Sequence, residues 1–137
     1  MVKELMHDPD FLAHPSAPAT PEDLQTAQDL LDTLLAHKDE CVGMAANMIG
    51  VLKRIIVFNN NEEMMTMLNP EIVKKDAPYE TEEGCLSLIG YPRKCKRYQN
   101  IKVQWQTTDF KTRIKTFSGY PAQIIQHEID HCNGVLI

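Results

Sequence analysis

The sequence predicts an α+β fold, and three observations carry that expectation. A helical apolar stripe lies near the N-terminus, the middle of the chain reads as short strands punctuated by Asn, Gly and Pro, and a second helix closes the chain between Pro121 and Asn133-Gly134. Segregated helices and strands of this kind belong to the α+β class.

The 137 residues, 43% of them hydrophobic, suit one globular domain spanning residues 1–137, with a single core. A formal net charge of -5 argues against nucleic acid or an anionic membrane as the main partner, since either needs a basic face. No apolar run reaches the length of a transmembrane helix, and Met1 to Asp10 lacks a basic region followed by an apolar one. A soluble cytoplasmic protein is therefore expected. Four cysteines in that compartment read as thiols, core filler or metal ligands rather than halves of a bridge.

Taken in order, Asp8-Pro9 and His14-Pro15-Ser16-Ala17-Pro18 predict an extended arm, because proline excludes itself and its predecessor from helix interiors. A helix starts at Thr20 as N-cap with Pro21 in its first position, and Leu24, Ala27, Leu31, Leu34 and Leu35 form its apolar stripe. His37 reads as a helix-end residue rather than a ligand. The small, apolar run from Cys41 to Gly50 suits tight core packing, favoured here, or a groove wall along which a peptide lies.

Arg54–Phe58 reads as a strand that Asn59-Asn60-Asn61 turns into a second one, Met64–Leu68. Asn69-Pro70 breaks that strand, and Glu71–Lys75 resumes it. The basic segment Tyr91–Arg97 is either a carboxylate holder or, preferably, a solvated loop. Ile101, Val103 and Trp105 alternate with polar residues, and a turn at Asp109-Phe110-Lys111 leads back through Arg113–Phe117.

Chemistry concentrates in His127-Glu128-Ile129-Asp130-His131. Histidines four apart on a helix leave the same face and can grip one metal ion, with Glu128 beside it as acid/base. After His131 only Cys132 offers a ligand, and it points about 100° away around the helix. The third ligand must come from upstream. Cys85 is preferred, because Gly84 frees the backbone to turn the thiolate inward and leaves the Leu86 N–H able to face a reacting group. Cys41, Cys95 and Cys132 are its rivals, and spacing alone does not separate them.

With Gly43-Met44-Ala45-Ala46 followed by Ile49-Gly50, then Glu83-Gly84-Cys85-Leu86-Ser87, then His127 to His131, the chain resembles the peptide deformylases, metal hydrolases that remove the N-formyl group from nascent chains. Asn69-Pro70 and Arg97 also fall where that family's pattern puts them, so the likeness spans roughly residues 8 to 137. The resemblance implies antiparallel strands around a central, C-terminal metal-binding helix, with the N-terminal helix packed outside. It implies a divalent metal on Cys85, His127 and His131, with Fe(II) favoured and Zn(II), Ni(II) or Co(II) compatible with the ligand types. It also implies N-formyl-methionyl peptides as substrate, delivered near the ribosomal exit. The substrate backbone would pair with Val42 and Gly43, Gly84 would lie beside it, and its methionine would enter a pocket near Tyr120 and Ile124.

One departure bears on rate. Where the family has a glutamine that donates to the developing oxyanion, this chain has Met48, and where proline usually precedes it this chain has Asn47. A thioether has no proton to give, and losing one oxyanion donor typically costs about 10²–10³ in rate. Leu88-Ile89 replace a common proline after the cysteine motif, and six residues follow His131. The expected function is deformylation. A catalytically weak metal- and peptide-binding paralogue and a general zinc peptidase are the alternatives.

Overall fold

The computed structural model describes residues 1–85 and 92–136. The expectations for Leu86, Leu88-Ile89 and Tyr91 therefore lie outside the described residues. Five strands form one antiparallel sheet in sequential order: β1 (Gly43–Ala45), β2 (Ile55–Asn60), β3 (Glu63–Glu83), β4 (Arg93–Gln106) and β5 (Thr112–Ser118). Three helices accompany it, α1 (Pro9–Leu12), α2 (Leu24–Ala36) and α3 (Gly119–Cys132).

Period-2 alternation gives each face of the sheet its own core. Ile56 and Phe58 point to the α3 side and join Met67, Val103 and Phe117 against Ile124, Ile125 and Ile129. Ile55 and Val57 point the other way and join Met44 and Leu68 against Ala27, Leu30 and Leu34 of α2. The result is the arrangement expected, an α+β fold with α3 inside the sheet and α2 outside it. Fully burying one such aliphatic side chain is worth roughly 1.5–3 kcal/mol, so each layer holds its own helix firmly, α3 on one face and α2 on the other.

Several local expectations are corrected. The buried stripe of α2 is Ala27, Leu30 and Leu34, while Leu24 and Leu35 are exposed. The helix is thus turned by about one residue toward the sheet. Asp29 on that face is buried, and Gln25 and Lys3 hold it together with the Met1 ammonium. The arm is not wholly extended: Asp8 caps the Asp10 amide at 3.0 Å and Pro9 starts the short α1, which buries Leu12. Asp-Pro is an N-cap followed by proline at the first helical position, a helix start as much as a helix barrier.

Asn69-Pro70 does not end a strand. β3 runs through it with register shifts after Leu68 and Ile72, and Asn69 takes φ 51. The Asn69 amide accepts from the Ala19 N–H (2.7 Å) and donates to the Ala19 carbonyl (3.1 Å), stitching the arm to the sheet as a strand would. The Tyr91–Arg97 loop is also corrected, because from Arg93 onward it is β4. The acidic and basic runs are each other's partners, with Glu80 opposite Lys96 and Glu82 opposite Lys94. Opposite charges directly across a strand pair stabilise it by a few tenths of a kcal/mol up to about 1 kcal/mol. At the other hairpin Asn61 and Glu62, both with positive φ, make the two-residue reversal between β2 and β3. Among the described residues no helix is long and apolar enough to cross a membrane.

Candidate metal centre

Helix α3 is pinned to the sheet before its histidines begin. The Gln126 side chain donates to the Tyr98 carbonyl and accepts from the Tyr98 N–H, both at 2.8 Å, so a side-chain amide copies the pairing of a sixth strand. From the next residue on, His127 and His131 project from the same face as the four-residue spacing requires, and their Nε2 atoms lie 3.0 Å apart. Both rings are buried, His131 completely. Cys85, two residues past the end of β3, brings its Sγ to them, and the three ligand atoms lie within 4.8 Å of one another.

A charged network orients His127. Glu83 sits two residues before Cys85, and His127 Nδ1 lies 2.7 Å from its Oε1. Arg97 donates to both Glu83 oxygens, Gln123 donates to Oε2 at 2.8 Å, and the other arm of Arg97 reaches Asp130 at 2.7 Å. Burial alone would raise the Glu83 pKa. Hydrogen bonds from His127, Arg97 and Gln123 outweigh it and hold the carboxyl ionised well below its ordinary range. An ionised carboxylate only accepts, so Nδ1 of His127 carries the proton and Nε2 is left to bind.

Burial opposes a charge on His127, yet hydrogen bonds to Cys85 and Glu83 and the charge of Glu128 push its pKa up to about 10. Burial, aided by the positive charge on His127, pushes His131 down to about 3. The facing nitrogens therefore share one proton between them, at a point where the cysteine sulfur also converges. A divalent cation fits the place of that proton, with two imidazoles and a thiolate as its donors.

Glu128 is offset from the histidine face, 3% exposed, and lines the adjoining cavity. Burial pushes its carboxyl up to about 7, against the opposing charge on His127. A group titrating near neutrality is suited to taking and returning protons. Its position depends on Gly43, because a Cβ there would meet Glu128 Oε2 at 2.9 Å and Ile124 Cγ2 at 2.8 Å. Close approach of β1 to α3 thus requires glycine.

The cavity, about 840 Å³, is lined by Val42, Gly43, Met48, Gly84, Cys85, Tyr120, Ile124, His127 and Glu128 among others. The structure thus brings every described candidate residue to one place, His131 lying behind His127. Tyr120, 60% exposed, stands at the mouth rather than in the wall. The run from Cys41 to Gly50 serves as core packing and groove wall together, since Met44 and Ala46 are in the core, Val42 and Gly43 face the cavity, and Met48 is buried in the core and also lines the cavity. Asn47 is fully buried and its Nδ2 donates to the His131 carbonyl at 3.0 Å, so that amide is already engaged beside Met48.

The rival cysteines do not group with the two histidines, although Cys41 lines the same cavity. Cys132 is in the core with its thiol pushed up to about 12 by burial. Cys41 donates to the Gly43 carbonyl, and burial pushes it up to about 12. Burial likewise pushes Cys95 up to about 11, and it lies on β4 across from Thr81. Sequence reasoning did not find Glu83, Gln123 and Asp130 as a unit. Only the position of Gln123 four residues before His127, and an acid two before Cys85, signalled them.

Comparison with known proteins agrees with this geometry. The family model described as polypeptide deformylase matches residues 3–137. The chain is 50% identical to a peptide deformylase of Clostridium beijerinckii over the whole of both chains. It superposes with a TM-score of 0.90 on the crystal structure of peptide deformylase from Thermotoga maritima, at 30% identity, covering 99% of this chain and 95% of that one. A Met-Ala-Ser bound class I type b peptide deformylase from Acinetobacter baumannii gives a TM-score of 0.88 at 29% identity, with 99% and 97% covered. The chain belongs to the polypeptide deformylase family.

Proposed function

We propose that Cys85, His127 and His131 hold the divalent metal of this deformylase and that Glu128 is its acid/base. Members of the family are metal-dependent hydrolases acting on formylated nascent peptides, and that is the activity of this chain. The observation that carries the residue assignment is the convergence of three ligand atoms within 4.8 Å beside a buried carboxyl that lines the cavity. Bound there, a divalent cation supplies Lewis acidity, making a water nucleophilic near neutral pH. Glu128 takes the proton of the attacking water and returns it to the leaving amine, which its pKa of about 7 suits. Glu83 and its partners hold His127 in the tautomer that keeps Nε2 free.

The formyl-methionyl end enters past Tyr120, its methionine toward Ile124 and its backbone along Val42 and Gly43; Gly43 opens β1, which among the described residues pairs with β2 alone. That a similar structure is bound to Met-Ala-Ser supports a methionyl peptide as the occupant. Fe(II) is the proposed ion, with Zn(II), Ni(II) and Co(II) as substitutes for the same donors. Residues 1–137 act as one domain in the cytoplasm, close to the ribosome where nascent chains emerge. Met48 at the cavity offers the oxyanion no proton, and Asn47 does not replace the missing donor because its amide is bound to His131.

Two variants test the assignment. Glu128→Gln is expected to keep its metal and lose about 10²–10⁴ in kcat on formyl-Met-Ala-Ser. Loss of metal instead would make Glu128 a ligand. Cys85→Ser is expected to lose tightly bound metal while Cys41→Ser, Cys95→Ser and Cys132→Ser retain it. Full metal content in Cys85→Ser would end the proposed ligand set.

A further inference from the structure

The two histidines are supported unequally. His127 Nδ1 has Glu83 as acceptor at 2.7 Å, which fixes its tautomer. His131 is more deeply buried, at 0% exposure, and its Nδ1 has no partner among the described residues. If Nε2 of His131 is to bind a cation, Nδ1 must carry the proton. A buried N–H without an acceptor is costly, and ligating histidines almost always donate their second N–H to an oxygen.

A second orphan lies close by. Asn47 is also 0% exposed, its Nδ2 donates to the backbone carbonyl of His131 itself at 3.0 Å, and its Oδ1 is buried without a partner. That one bond fixes which end of the amide is oxygen, since only Nδ2 can donate to a carbonyl. An unsatisfied donor and an unsatisfied acceptor thus belong to two residues already joined by a hydrogen bond. Glu128 Oε1 is another buried orphan acceptor on α3, but Glu128 lines the cavity and is assigned to the reacting water.

We propose that Asn47 is the positioning residue of His131: Nδ2 anchors the carbonyl of the ligand, and Oδ1 accepts the ring Nδ1–H through one enclosed water. A buried polar site of this kind is where a water completes otherwise unsatisfied groups. Asn47 would then do for His131 what Glu83 does for His127, with a neutral amide in place of a carboxylate. The proline that the family usually has at this position offers neither a side-chain donor nor an acceptor.

This inference rests on the reading of His131 as a ligand, and the experiment separates the two. In zinc-loaded, unsubstituted protein, imidazole nitrogen NMR first reports whether His131 Nε2 is metal-bound. A metal-free Nε2 defeats the ligand assignment and the inference with it. Given a bound Nε2, the His131 Nδ1 proton is expected as an exchange-protected resonance with cross-relaxation to a long-lived water. A rapidly exchanging proton overturns the role of Asn47 even if no variant folds.

The second measurement is zinc release into excess chelator. Asn47→Leu is expected to release metal about 10–100-fold faster than the unsubstituted protein. If Asn47 only braces the helix, metal-free and zinc-loaded forms lose equal Tm and the release rate does not change. That result overturns the proposal.

Discussion

The cavity has two walls built on opposite plans. On the α3 side the carboxylate of Glu83 accepts from His127, Arg97 and Gln123, and Arg97 spans to Asp130. On the β1 side, the turn Ala46–Ile49 and the strand before it present small or apolar groups, and Met48 has no proton to donate. The first wall fixes where the ligands sit, redundantly and with charge. The second fixes only how closely the backbone can approach, through Gly43 against Glu128. The proposed metal ligands are therefore over-determined in position, whereas the proposed oxyanion site is thinly supplied with donors.

The strongest way to break that contrast is to open the charged wall. Arg97 is 4% exposed between Glu83 and Asp130, so Arg97→Ala strands a buried carboxylate beside His127, a proposed metal ligand. Breaking such a pair by removing one partner costs about 3–5 kcal/mol. Chemical denaturation of the metal-free protein is expected to read that loss, with weaker metal retention after loading. A loss under about 1 kcal/mol would mean that the network behaves as an exposed pair, and the redundancy ascribed to this wall would be wrong.

How much of each wall was legible in the sequence follows from the same difference. The histidine spacing, Cys85 beside Gly84 and the closing helix are local patterns, and the chain folds as they read. The network was not legible as a unit, because Arg97 lies 14 residues from Glu83 and 33 from Asp130. Only the pairing of β3 with β4 joins them, and that pairing was hidden because an acidic run and a basic run each look like solvated surface until they are laid side by side. Asn69-Pro70 misled for a related reason: proline in a strand signals a break or a bulge, and the Asn69 contacts to Ala19, 50 residues away, decide for the bulge. The stripe of α2 was misplaced by one residue because leucines at positions 24 and 35 fit a helical period equally well. Only the shape of the sheet chooses between the two faces.

The thin wall can be sharpened rather than broken. Met48→Gln restores an amide donor at the cavity and is expected to raise kcat on formyl-Met-Ala-Ser at least about tenfold, with little change in KM. The asymmetry follows from where the donor acts, since ground-state binding uses the groove and the oxyanion forms only later. Unchanged kcat in this variant, or an unsubstituted protein as fast as other deformylases, would show that another donor serves the oxyanion.

The smallest effect concerns the proton that the histidine pair shares. Without metal, His127 is raised to about 10 and His131 lowered to about 3, so the pair holds one proton across the neutral range. A raised pKa stabilises the folded, metal-free protein fully below the ordinary histidine value of about 6.5, and that contribution is lost as pH rises toward 10. The depressed His131 works in the other window: below about 6.5 the unfolded chain takes a proton that the folded ring refuses, and stability falls toward pH 3. Metal must displace the His127 proton, so its apparent affinity should rise with pH by about tenfold per unit for that proton, or about 1.4 kcal/mol. Between pH 6.5 and 8.5 the Tm of the metal-free form is expected to drop relative to the zinc-loaded form, widening the gap between them. Protons should also appear on zinc addition in weak buffer at pH 7.5. A gap that stays constant or narrows over that range would mean that the facing nitrogens are not competing for proton and metal, and that the charged wall fixes His127 without protonating its partner side.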